Sequence, residues 1–318
     1  MPPEKAKAAR AYMQIRALIY FDELVRARSI RAAADKLNIQ PTALARQIDQ
    51  LEHYFGTALV ERSSRGVRLT SAGELLAARA GKTLRELDHV RQLIDDLEGL
   101  KRGQVAIFAS GATVANLLAP ALADFSLKFP NIRFSVTIAS ARAAVEAVAN
   151  AEADIAVTLF SKPEPGTKVR LRSEIVYDVI AAADHPAAAH SELSVSALAR
   201  YPLAVPDQSF GARLAFDALF KQAGLTLDPV FVTSSLEMQK ELVLRGAAVT
   251  LLPALTVLRE CRAGQLVAIP IAGGRGIRTP IDLCVAADRQ LSFAAAKLLD
   301  AIDRFMRDAM PKLPGKGV

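Results

Sequence analysis

The stretch from Ser29 to Gly73 constrains this chain more than any other. Ile30, Ala33, Ala34 and Leu37 recur at i, i+3, i+4 and i+7, the spacing that gives a short helix one apolar face. Ser29 stands where its N-cap belongs. Asn38-Ile39-Gln40 breaks the pattern, and Pro41 then falls where a first helical residue needs no N–H. Leu44, Ile48, Leu51 and Phe55 give a second helix its apolar side, and Gly56 follows as a left-handed cap. Two helices with so tight a link predict a helix-turn-helix. The second helix turns Thr42, Ala43, Arg46, Gln47 and Gln50 outward. These residues are small or can hydrogen-bond, as an element entering a DNA major groove requires.

After Gly56 the pattern changes to a ribbon. Leu59 to Arg62 and Val67 to Leu69 read as two strands around the turn Ser63-Ser64-Arg65-Gly66. Arg62, Arg65 and Arg68 then form a wing of guanidiniums, each a bidentate donor for phosphate oxygens. Here the chain resembles the LysR-type transcriptional regulators. The resemblance runs from Ala32 to Gly73 and is carried by AADKLN at 33 to 38, ALARQIDQLE at 43 to 52 and LVERSSRGVRLTSAGE at 59 to 74. It implies a winged helix-turn-helix DNA-binding domain over about 11–70. Arg46, Thr42 and Gln47, with Gln40 and Ala43 beside them, would lie at base edges of double-stranded DNA. Arg62, Arg65 and Arg68 would hold phosphates and the adjacent minor groove.

Charge placement agrees with that assignment. The net formal charge is +7, of which residues 1–70 carry +5, residues 71–98 carry −2 and the remainder +4. Positive charge is densest where the DNA reader is expected. Met1 to Arg10 lacks the apolar core of a secretory signal, so a cytoplasmic protein is expected. Gln104 to Ala123 has no charge, yet Ser110, Gly111, Thr113, Asn116 and Pro120 make a strand, turn and helix the better reading than a membrane span. Cys261 and Cys284 fit no metal or redox motif, and the four histidines have no metal-ligand spacing. Neither metal nor cofactor is expected.

Flanking the helix pair, Leu18, Phe21, Leu24 and Val25 predict an amphipathic helix from about Tyr12 to Ala27. Beyond the wing, Thr70 or Ser71 caps a long helix over 71–98, and Ser71 with Glu74 has capping-box spacing. Its Leu84, Leu87, Val90, Ile94 and Leu97 form a narrow apolar seam between charged flanks. Such a seam packs either on its own chain or against a second copy. The resemblance implies the second: a linker helix that makes a homodimer, in turn a homotetramer, reading an interrupted palindrome. Gly99 to Gly103 reads as a hinge.

From residue 103 onward strands alternate with helices: Val105–Ala109, Ile132–Ala139, Ile155–Leu159, Val176–Ala182, Leu203–Val205, Val230–Thr233, Val249–Leu252 and Ile281–Val285 as strands, with helices over Thr113–Phe129, Ala143–Ala151, Ala212–Ala223, Leu236–Arg245 and Ser292–Met310. This order predicts a mostly parallel α/β sheet. Family resemblance implies an effector domain of periplasmic-binding-protein type in an α/β protein overall. Lobe I would span about 103–175 and 271–310 and lobe II about 176–270, with crossings near 175 and 271. Ligands of open α/β sheets bind beyond the strand ends, where helix N-termini favour anions. Ser110, Thr113, Ser140, Phe160, Phe210 and Ser234 lie at such ends, and a small carboxylate or similar anion suits them. Each hydroxyl is equally explained as an N-cap, and each Phe as core.

No Gly-x-Ser-x-Gly elbow, paired histidine or phosphate loop is present, so no enzyme is expected. The expected function is a sequence-specific regulator controlled by a small-molecule effector, with RNA polymerase as a further partner. The rival is a small-molecule-binding protein or enzyme built on residues 104–310, whose N-terminal domain serves association alone.

Overall fold

The computed structural model describes residues 13–63, 66–97, 102–162, 164–274 and 276–309. The chain divides into two compact units, Met1–Arg91 and Gln92–Val318. In the first, α1 (Ile15–Ala27), α2 (Ile30–Lys36) and α3 (Pro41–Phe55) bury Phe21, Leu24, Leu44, Ile48 and Leu51 in one core. The periodicity dictates this: each of these side chains lies on the stripe that faces the other two helices. Ser29 accepts from Ala32 N at 3.4 Å, Pro41 opens α3, and Gly56 closes it in the left-handed region. α1 begins at Ile15, a turn later than the pattern suggested.

Strands β1 (Val60–Ser63) and β2 (Gly66–Leu69) pair antiparallel, Val60 facing Leu69 and Arg62 facing Val67. α4 (Ser71–Leu97) follows. Its cap is Thr70, whose hydroxyl accepts from Gly73 N at 3.0 Å and donates to Ala58 O at 2.7 Å. Ser71 is therefore the first helical residue, and the Ser71–Glu74 capping box does not form. The hydroxyl one position earlier already satisfies the first turn and anchors it to the wing. The expected hinge at Gly99 to Gly103 lies largely outside the described residues.

The second unit begins with β3 (Gly103–Ala109). The single helix expected over Thr113–Phe129 is instead a 3-10 turn at Gly111–Thr113, a π turn at Val114–Leu118 and α5 (Ala119–Lys128). Pro120 explains the break: it offers no N–H to Asn116 O and its ring crowds that carbonyl, so the preceding turn widens. β4 (Ile132–Ile138), α6 (Ala141–Ala149), β5 (Ile155–Leu159) and β6 (Thr167–Ala182) come next. They are followed by α7 (Val195–Leu198), β7 (Ala204–Val205), α8 (Gly211–Gln222), β8 (Phe231–Val232), α9 (Leu236–Leu244), β9 (Thr250–Pro253), α10 (Leu258–Arg262), β10 (Leu266–Ile269), β11 (Arg278–Ala286) and α11 (Phe293–Ala309).

The main sheet has the order β10-β6-β11-β5-β3-β4, with β9 also pairing β6. β3 runs parallel to β4 and β5, whereas β11, β6, β9 and β10 pair antiparallel. The sheet is thus mixed, not mostly parallel, because β11 returns between β5 and β6 instead of adding at an edge. Its centre is fully buried: Ile107, Ile155, Val157, Ile281 and Leu283 all lie in the core. The first crossing near 175 is not a break but the middle of β6. Residues Thr167 to Val176 pair with β11, and Tyr177 to Ala182 pair with β9 and β10. One strand belongs to both halves of the unit.

Candidate functional site

In the first unit, α3 and the wing are fixed to each other by a carboxylate. Glu52 Oε1 on α3 accepts from Leu59 N at 2.7 Å and Val60 N at 3.1 Å. Val67 N donates to Arg28 O at 3.0 Å, tying β2 to the end of α1. Gly73 locks the other end: a Cβ there would lie 1.9 Å from Leu59 O, so only glycine lets α4 start against β1. Backbone and carboxylate together leave the recognition helix and ribbon little freedom to move apart.

Of the residues expected at DNA, Gln40, Thr42, Ala43 and Arg46 are exposed on or before the first turns of α3. Gln47 is half-buried and donates to Gln50 Oε1 at 2.9 Å, which presets its orientation. Arg68 is exposed on β2, opposite Glu61. The backbone of Arg62 lies in β1, and Arg65 lies outside the described residues. On α4 the seam residues Leu87, Val90, Ile94 and Leu97 are 43%, 43%, 52% and 88% exposed, while Leu84 packs on the N-terminal core.

The second unit holds a cavity of about 330 Å3. Ser110, Phe160, Phe210 and Ser234 line it together; Thr113 and Ser140 do not. Thr113 is 1% exposed and donates to Ser110 O at 2.8 Å, so it shapes the turn beneath the cavity. Ser140 caps α6, accepting from Ala143 N at 3.3 Å. Both therefore take the role of local caps. Sequence reading missed Tyr177, Gly211, Leu236, Gln239 and Leu251 in the wall. Only the doubling of β6 brings Tyr177 there, and no local pattern marks it.

Phe160 takes φ +59, a left-handed conformation that a bulky side chain rarely adopts. It sends its ring to Tyr177, 5.6 Å between centroids, and Tyr177 meets Phe216 at 5.8 Å. Gly211 answers that turn: a Cβ on it would lie 2.6 Å from Phe160 Cβ. Ser161, the next residue, donates to Asp282 Oδ2 at 2.5 Å, and Arg172 grips the same carboxylate at 2.6 and 2.9 Å. Asp282 is fully buried, so this pairing is what allows its charge in the sheet. Asn116 donates to Leu255 O at 2.7 Å and joins the two halves a second time. Burial pushes the Tyr177 phenol far above its ordinary range, so it stays a neutral donor. No cluster of three metal-ligating side chains occurs among the described residues, nor does any described helix have the length and apolarity to cross a membrane.

Comparison with known proteins agrees with both halves. Residues 15–74 match the model of the bacterial regulatory helix-turn-helix protein, lysR family, and residues 98–307 match the LysR substrate binding domain. The RuBisCO operon transcriptional regulator of Acidithiobacillus ferrooxidans is 27% identical over 257 residues, 80% of this chain and 82% of that one. The regulator IlvY of Escherichia coli (strain K12) is 29% identical over 283 residues, 87% of this chain and 94% of that one. Among solved structures, CbnR, a LysR family transcriptional regulator, has a TM-score of 0.68 at 21% identity, covering 92% of this chain and 99% of its own. Full-length CbnR complexed with its target DNA gives 0.69 at 21% identity, covering 92% and 100%. The helix-turn-helix with its wing, the long helix and the α/β domain are thus those of a LysR-type DNA-binding transcriptional regulator, and the chain belongs to that family.

Proposed function

We propose that this chain is a gene switch in the cytoplasm whose affinity for an interrupted palindromic operator is set by a small carboxylate or similar anion held in the cavity of its C-terminal unit. The observation that carries the DNA half is the Glu52 bridge, which makes recognition helix and wing one rigid surface. Arg46, Thr42 and Gln47 approach base edges, with Gln40 and Ala43 at the helix start close enough for backbone and apolar contact. Arg62, Arg65 and Arg68 hold phosphate and minor groove. Ser110, Phe160, Phe210 and Ser234 contact the effector, and Thr113 and Ser140 set the turns that carry them.

In this reading residues 11–70, 71–98 and 103–318 act as reader, linker and sensor, with lobes near 103–175 plus 271–310 and 176–270. The exposed seam on α4 supports pairing of two copies into a homodimer, and two dimers into a homotetramer. Effector binding favours one lobe geometry, shifts the arrangement of dimers, and changes DNA bending or contact with RNA polymerase. A salt titration of the full chain on duplex DNA tests it. Affinity should fall steeply and linearly in log–log form, with a slope of roughly −0.9 per phosphate neutralised. Absence of binding to genomic duplex even at low salt would sink the reading and favour the association-only rival.

A further inference from the structure

We infer that the cavity of the C-terminal unit is built for a singly charged organic acid with an apolar body, its carboxylate held by the open first turn of α8 and by the Tyr177 hydroxyl, and that it rejects diacids and phosphates. This rests on the reading of the cavity as the effector site and specifies what that site takes. Three observations carry it. The first is an open N-terminus. α6 and α9 have their first-turn donors filled by Ser140 and Ser235, which accept from Ala143 N at 3.3 Å and Met238 N at 3.2 Å. α8 has Phe210 at its cap, with no side-chain oxygen to offer. The N–H groups of Gly211 and Ala212 line the cavity without a partner among the described residues. Asp207, just upstream, gives its carboxylate to Ser209 N at 2.8 Å and is not in the wall. A helix start of this kind presents about half a positive charge along with its donors.

The second observation is Tyr177. It is 3% exposed and lines the same cavity, yet its hydroxyl has no hydrogen-bond partner among the described residues. A buried phenol ordinarily finds one. Here the unfilled partner is an acceptor inside the cavity, and a carboxylate oxygen is an acceptor only. Backbone donors and phenol thus converge on one anionic group.

The third observation sets the limit on charge. No Lys, Arg, His, Asp or Glu is among the lining residues, and the remaining wall is mostly apolar: Ile138, Leu159, Phe160, Phe216, Leu236 and Leu251. One carboxylate can be matched by a helix start and a phenol. A second full charge would lose its water against hydrocarbon with no cation to replace it. The volume, about 330 Å3, is at the small end of ligand pockets, and the apolar side demands a branched or aromatic body to fill it.

The test is calorimetric titration of the full chain with benzoate and 3-methylbutanoate, against succinate, inorganic phosphate and benzyl alcohol. The two monocarboxylates should bind, and the diacid, the phosphate and the neutral alcohol should bind at least tenfold more weakly. Tyr177→Phe, which keeps the ring and its packing, should weaken benzoate about tenfold, the loss of one hydrogen bond to a charged group. Phe210→Ser, which supplies a capping hydroxyl to α8, should weaken it as well while thermal unfolding remains cooperative. Succinate or phosphate binding as tightly as benzoate, an unaltered affinity in Tyr177→Phe, or no monocarboxylate binding at all would each overturn the inference. Monocarboxylate binding that leaves operator affinity unchanged would support the ligand class while removing the effector reading above.

Discussion

Single residues decide more in this protein than their size suggests. Gly73 is the clearest case: with Leu59 O at 1.9 Å from any added Cβ, both colliding groups are backbone, so neither can rotate away. Gly73→Ala should cost about 1–3 kcal/mol, read as a lower urea midpoint of the N-terminal transition. Arg46 and Arg68 are both exposed, but they serve different ends of the interface. Arg46→Ala should cost about 1–3 kcal/mol on the specific operator and far less on random duplex. Arg68→Ala should weaken both alike and reduce the salt slope by about one. Equal losses for the two variants on both duplexes would refute that division of labour. Gly56 and Pro41 were legible from their neighbours alone, because helix ends are local problems with few solutions. Gly211 was not, because the residue that demands it is Phe160 on a distant strand.

At the scale of elements, α9 and α10 are held by an ion pair. Lys240 Nζ on α9 lies 2.6 Å from Glu260 on α10 and 3.8 Å from Glu237. Burial pushes the Glu260 carboxyl upward, but the hydrogen bond and charge of Lys240, with the backbone and Arg259, outweigh it and hold the group below its ordinary range. A carboxyl held low in the folded state stabilises above its unfolded pKa of about 4.3, and that stability is lost as pH falls through the folded value. Lys240→Met should therefore lower Tm most at neutral pH, and the gap from the parent chain should narrow as the pH is taken below about 4. A gap that widened toward acid would contradict the assignment. α4 offers a different test. Val90 and Ile94 are about half exposed on its seam, so Val90→Asp with Ile94→Lys should leave the N-terminal unit folded and convert the species seen by sedimentation to monomer.

For the whole molecule, the informative contrast is between what repeats along the chain and what returns to it. Helix-turn-helix, ribbon and linker helix follow one another within 15–97, and each is specified by apolar spacing, a cap or a turn that neighbours in sequence supply. Hence the DNA-reading half could be recognised residue by residue. The capping box at Ser71 failed only because Thr70, one position earlier, also reaches Ala58 O across the wing. In the sensing half the alternation of strands and helices was legible, but its pairing was not. Nothing local tells β11 to enter between β5 and β6, or tells β6 to serve both lobes over sixteen residues. Those choices place Phe160 against Gly211 and bring Tyr177 to the cavity. The amino-acid sequence by itself determined the elements, because hydrophobic period and end chemistry act over a few residues. Tertiary structure alone decided the cavity's wall, because its residues meet only after sheet closure brings together strands more than a hundred positions apart in β5 and β11.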